Sequence, residues 1–123
     1  MMTKKLLINS LLIDGNGGTP AEGSGILIDG DKIAAIGNAA DFSCEDKGTD
    51  VIDCHGKTIM PGMINGHVHV FMEPYTWDRI AYQQEPLSGL CVKIIDNLKK
   101  LLHSGVTYVR DLGGYMDLDI QFR

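Results

Sequence analysis

The sequence changes character at Pro61-Gly62, and that break decides what the chain can fold into. Before it, short aliphatic runs alternate with glycine-rich turns. Residues 5–13, 25–28 and 32–36 read as strands, bounded by Asp14-Gly15-Asn16-Gly17-Gly18 and by Asp29-Gly30-Asp31. The second of these is a hairpin turn, so the third strand is expected to return antiparallel to the second. Residues 38–50 are polar and read as a loop. Residues 51–54 and 57–60 read as another short pair about His55-Gly56. Fifteen of the 123 residues are Gly, against a usual share of about 7%, as tight turns between short strands require. The first half thus reads as a meander, the N-terminal part of a small β-sandwich.

After the break the periods change. Met63 to Phe71 is a dense apolar run that fits a buried strand. Residues 72–84 read as irregular. From Leu87 the apolar spacing is helical: Leu87, Cys91, Ile94, Leu98 and Leu101 form a stripe, with Leu90, Ile95 and Leu102 widening it. Lys93, Asn97, Lys99 and Lys100 fall outside that stripe, and Gly105 stands where a left-handed helix cap belongs. Residues 106–109 are a further strand. Strand, helix and strand with one short connection make a βαβ unit, expected to be parallel and right-handed. The fold class is therefore α/β, with residues 1–60 as sandwich strands and residues 61–123 as a first βαβ unit. One such unit leaves two bare strand edges. A (β/α)₈ barrel takes about 250 residues, so the chain reads as the front of a larger α/β protein.

Charge and composition narrow the function classes. The formal charge is −5, with Lys and Arg scattered. That argues against a nucleic-acid partner, which calls for a basic face. No stretch reaches the roughly 20 apolar residues of a membrane span, and Leu6 to Ile13 is too interrupted for an export signal. Cys44, Cys54 and Cys91 are odd in number and widely spaced, as reduced thiols in a cytoplasmic protein would be.

The sharpest chemical feature is Gly66-His67-Val68-His69-Val70. Residues i and i+2 of a strand project to one side, so His67 and His69 stand together. Neutral imidazoles are the commonest metal ligands, yet two do not complete a site. A catalytic zinc takes three protein groups and a structural one takes four. Taken alone, the pair fits a metal site or two separately bonded histidines equally well.

The run IDCHGKTIMPGMINGHVHV resembles the opening signature of the amidohydrolase superfamily. LLINSLLIDGNG and GILIDGDKIAAIG resemble the small β-sandwich that precedes the barrel there. SGVTYVRDLGG, residues 104–114, resembles the second barrel strand of the imidazolonepropionase-like and Xaa-Pro or Xaa-Lys/Arg dipeptidase-like subgroup. Asn65 departs from it, standing where many members have Asp, and is more familiar in the deaminase-like branch.

The resemblance implies the start of a (β/α)₈ TIM-type barrel, with one or two divalent metals, usually zinc, held at the strand ends. His67 and His69 would be the first metal ligands. The metal would activate water for attack on an amide, peptide-like or cyclic amide C–N bond. The remaining ligands and the catalytic base come from later strands in the family, so no catalytic residue is expected within these 123 residues, and the chain alone is expected to be inactive and to hold the metal partially or not at all. His55 and His103 are expected to be surface or capping residues.

Arg110 has a functional reading at a strand end and a structural one. In the latter it joins Asp111 in an ion pair or turn that holds Gly113-Gly114. Tyr75, Trp77 and Tyr82 would line a substrate or pack within their own loop. The partner expected is a small-molecule or dipeptide substrate, with no nucleic acid or membrane, and self-association through open sheet edges. Three competing readings are a non-enzymatic self-associating module, a deaminase-type fragment, and a metal site shared between copies.

Overall fold

The computed structural model describes residues 4–42, 48–73 and 79–122. The chain forms two compact units, Met1–Pro61 and Gly62–Arg123.

The first unit is one five-stranded sheet. β1 (Lys4–Leu12), β2 (Ala21–Asp29) and β3 (Lys32–Asn38) run antiparallel in the order β3-β2-β1, while β4 (Thr49–Asp53) and β5 (Thr58–Ile59) both lie parallel to β1. The expected hairpin between 51–54 and 57–60 is therefore not formed. β4 pairs with Lys4–Ile8 and β5 with Leu11–Leu12, one after the other along the same strand.

The reason lies in the backbone. Asn9 has φ +56 and interrupts β1, and His55 (φ +50) with Gly56 (φ +75) steps the chain sideways at the same level instead of reversing it. The ladder continues through the step. Cys54 N–H donates to Ile8 O at 2.9 Å, Gly56 N–H to Asn9 O at 2.8 Å, and Leu11 N–H to Lys57 O at 3.1 Å. Asn tolerates the left-handed region better than other L residues, because its short polar side chain bonds locally. Here Asn9 Nδ2 donates to Asp53 Oδ2 at 3.1 Å.

The pairing lays two apolar rows across this sheet. Ile36, Ile26, Leu7 and Ile52 share one face, while Ala35, Leu27, Leu6 and Val51 share the other. Leu6 and Ile26 are buried from opposite sides, whereas Ile36 and Val51 at the margins are exposed. A sheet with one wet face would be apolar on one side only.

The polar loop before β4 also carries structure. Asn38 caps a 3₁₀ turn at Ala39–Asp41, and the Phe42 ring packs on Gly25, leaving no room for a side chain there.

The second unit begins with β6 (Met63–Val68) and ends its sheet with β7 (Val106–Asp111), parallel to it. α1 (Arg79–Gln84), within a stretch expected to be irregular, and α2 (Leu87–His103) lie between them, and α3 (Leu118–Gln121) follows. Val70, Tyr82, Leu90, Ile94 and Leu118 form the core.

β6 is not the buried strand its composition suggests. Ile64 is 72% exposed and Met63 46%. Its only described sheet neighbour is β7, so the apolar side chains that a parallel sheet would sandwich between layers lie open. The packed face of α2 likewise runs along Leu90 and Ile94, not through Leu87, which is exposed. Gly105 has φ +89, directly after the C-cap Ser104, as expected. Gly62 faces Thr107 so closely that an added Cβ would lie 1.9 Å from its Oγ1.

Among the described residues, no helix is long and apolar enough to cross a membrane.

Candidate metal centre

The candidate centre forms where β6 ends. Asn65 pairs with Val109 and Val68 with Asp111, so β6 spends three residues where β7 spends two. The extra residue is a bulge at Gly66-His67, a device that re-aims side chains and recurs beside functional sites. Two side chains fix it. Asn65 Oδ1 accepts the His67 N–H at 3.1 Å, and Arg110 Nε donates to Gly66 O at 2.9 Å. The His67 and His69 rings then lie edge to face, centroids 5.4 Å apart. His67 is exposed and the His69 side chain is 32% exposed.

His69 is oriented from β7. Its Nδ1 lies 3.1 Å from Gly113 O and 3.8 Å from Asp111 Oδ1. A carbonyl oxygen only accepts, so Nδ1 carries a hydrogen, and in the neutral ring Nε2 keeps its lone pair. This is the arrangement a metal-ligating histidine needs.

The next residue, Val70, is held on both sides. Its N–H donates to Asp111 Oδ2 at 2.9 Å, and its carbonyl accepts from Asn97 Nδ2 at 2.9 Å. Asn97 Nδ2 also donates to Met72 O at 2.9 Å. Asp111 Oδ1 accepts the Gly113 N–H at 3.0 Å, closing a turn of the Asx type. Asp111 thus makes the turn and no ion pair with Arg110 is described, while the Arg110 side chain spans from β7 to the bulge.

Two neutral imidazoles suit a borderline divalent cation such as zinc. The described residues contain no group of three His, Cys, Asp or Glu side chains that could hold a metal ion. The remaining histidines stand elsewhere. His55 belongs to the step between β4 and β5 in the first unit, 3.5 Å from Asp53 Oδ1, and His103 is exposed at the end of α2.

Tyr75 and Trp77 lie outside the described residues. Tyr82 is not part of a substrate wall. It is 4% exposed, its ring meets Phe71 at 5.5 Å, and its hydroxyl accepts the Glu73 N–H at 2.9 Å.

Two polar residues of α2 escape a reading of periodicity. Asn97 is polar and so falls outside an apolar stripe, yet it sits three residues after Ile94 and seven after Leu90, on their face. Lys93 bonds Glu85, lies 3.4 Å from Glu73 and stands over the Tyr82 ring at 5.8 Å. The bond to Glu85, assisted by Glu73, raises its pKa above the ordinary lysine value.

The bulged strand β6 leads into a histidine pair, and His69 is oriented from β7. No family model matches the chain. The 5-methylthioadenosine/S-adenosylhomocysteine deaminase of Carboxydothermus hydrogenoformans is 41% identical over 68 residues, 54% of this chain and 15% of that protein. The 5'-deoxyadenosine deaminase of Methanobrevibacter smithii is 49% identical over 47 residues, 38% of this chain and 10% of that protein.

Solved structures match over more of the chain. An amidohydrolase superposes with a TM-score of 0.76 at 30% identity, covering 98% of this chain and 29% of the other. A prolidase complexed with N-methylphosphonate-L-proline and a Xaa-Pro dipeptidase with bound methionine each give 0.79 at 26% identity, covering 98% of this chain and 29% of theirs. The chain is similar to the N-terminal portion of amidohydrolase-superfamily members. It spans under a third of the length of these structures and less of the curated relatives.

Proposed function

We propose that this chain supplies the first two ligands, His67 and His69, of a metal centre that hydrolyses C–N bonds, and that β6, α2 and β7 are the opening βαβ unit of a (β/α)₈ barrel. The observation that carries this is the His69 hydrogen bond, which commits Nδ1 to Gly113 O and leaves Nε2 to a ligand. When bound, a divalent metal, zinc in this reading, polarises the scissile carbonyl and lowers the pKa of water. The residues of this chain have positioning tasks. The bulge aims His67, Asp111 and Gly113 aim His69, and Asn97 holds the backbone that follows.

The substrate class favoured is a dipeptide or similar small amide, because the prolidase and Xaa-Pro dipeptidase structures match along nearly the whole chain. Deamination is the second reading. It rests on the higher local identity to the two deaminases and on Asn65. The cytoplasm is the compartment proposed, since Cys54 and Cys91 are free thiols.

Zinc titration of the chain and of His67→Ala and His69→Ala tests the ligand assignment. Each substitution is expected to weaken binding by more than the about 10–100-fold that losing an outer-shell partner costs. Affinity unchanged in both variants would overturn it. Hydrolysis of an Xaa-Pro dipeptide and deamination of 5'-deoxyadenosine, followed in the same samples, are expected to be absent for the chain alone. Turnover of either would show that the catalytic base lies within these residues.

A further inference from the structure

We infer that Asp111 is a positioning residue whose task is to set the tautomer of His69. The inference rests on the reading of His69 as a ligand only for its purpose. The geometry behind it is independent of any metal.

One carboxylate reaches both peptides that matter. Oδ2 accepts the N–H of Val70, the residue directly after His69, at 2.9 Å. Oδ1 accepts the N–H of Gly113 at 3.0 Å. The turn so closed presents the Gly113 carbonyl to His69 Nδ1 at 3.1 Å, and Oδ1 itself stands 3.8 Å from that nitrogen. The neighbouring acceptors therefore all favour a hydrogen on Nδ1, and no donor among the described groups is given to it. Asp111 lies in β7 and His69 just past β6, so the two strands must be in register for this to work.

The Asp111 side chain is 10% exposed, so water competes little for its oxygens. Without it, the Leu112–Gly113 segment keeps only the Leu112 N–H bond to Val68 O, the Gly113 carbonyl in the next peptide is held less firmly, and the imidazole is freer to carry its hydrogen on either nitrogen. A hydrogen on Nε2 would block the lone pair that a cation needs.

The test is a long-range ¹H–¹⁵N correlation spectrum of the imidazoles in the metal-free chain, about two pH units above the ordinary histidine pKa so that the rings are neutral. Wild-type His69 is expected as the Nδ1–H form. Asp111→Ala is expected to move the ratio of the two tautomers about fivefold toward Nε2–H, the effect of one ordinary hydrogen bond. Asp111→Asn keeps one acceptor oxygen for the Gly113 N–H while its amide NH₂ faces the Val70 N–H, and is expected to bring the ratio part of the way back toward the Nδ1–H form. Asn97→Ala releases the Val70 carbonyl without touching the turn and is expected to leave the tautomer in place.

If Asp111→Ala does not fold, Asp111→Glu is read with the same expectation, since its longer side chain does not close the two-residue turn. An Nε2–H form in the wild type overturns the inference. So does an unchanged ratio in Asp111→Ala, or a shift in Asn97→Ala as large as that one. Zinc added last separates the two readings. Zinc binding that His67→Ala and His69→Ala leave unchanged, with the wild type in the Nδ1–H form, refutes the ligand assignment and leaves Asp111 in its role.

Discussion

Single residues hold the strained and crowded places of this chain. Asn9 adopts φ +56 within β1 and bonds Asp53 across the step. Asn9→Val places a β-branched side chain in the left-handed region, which costs about 1–2 kcal/mol, and also removes that bond. Urea unfolding of the first unit is expected to show at least this loss, whereas Asn9→Gly is expected to stay close to wild type. Asp53 accepts the His55 N–H at 2.8 Å and the Asn9 amide, and these bonds, the first above all, hold its pKa below the ordinary aspartate value of 3.8.

A lowered folded-state pKa contributes stability that is complete above the unfolded value and lost as pH falls through the folded one. Thermal melts between neutral pH and about pH 2 are expected to show an acid limb from Asp53 that Asp53→Asn flattens. An identical limb in both proteins would exclude the group. None of this was legible in the sequence, where His55-Gly56 has the composition of a hairpin turn. Turn residues report that the chain bends, and only the pairing to β1 decides in which direction.

At the scale of elements, legibility follows how local the cause is. α2 was readable because its spacing and Gly105 act within a few residues of each other. β2 and β3 were readable because Asp29-Gly30-Asp31 joins them as a hairpin. α1 was not readable in a stretch that opens with Pro74 and crowds aromatics. The bulge in β6 was not readable either, since it arises from a mismatch with β7, forty residues away in sequence.

The face of α2 gives a quantitative check. Leu90 and Ile94 are fully buried, so Leu90→Ala and Ile94→Ala are each expected to cost about 2–5 kcal/mol. Leu87→Ala, on an exposed position, is expected to stay within about 0.5 kcal/mol. Equal losses at Leu87 and Leu90 in denaturant titrations would contradict the packed face described above. Gly62→Ala is expected to destabilise the second unit by about 1–3 kcal/mol, as overpacking against Thr107 does.

The whole molecule is distinguished by what it leaves open. Both faces of the first sheet carry apolar rows, and β6 exposes Met63 and Ile64. Surfaces of this kind become interfaces or aggregate. The chain is expected to sediment as an oligomer or as heterogeneous assemblies at micromolar concentration, and a monodisperse monomer in analytical ultracentrifugation would contradict this.

The paired histidines were legible from HxH on a strand. Their orientation was not, because Asp111 and Gly113 come to His69 from another element. The central claim is that His67 and His69 are metal ligands. It is tested most directly by zinc X-ray absorption on the loaded chain. The account predicts two imidazole nitrogens at about 2.0–2.1 Å, lost in the His67→Ala, His69→Ala double variant. A zinc spectrum without imidazole, or one that the double substitution leaves unchanged, would contradict it.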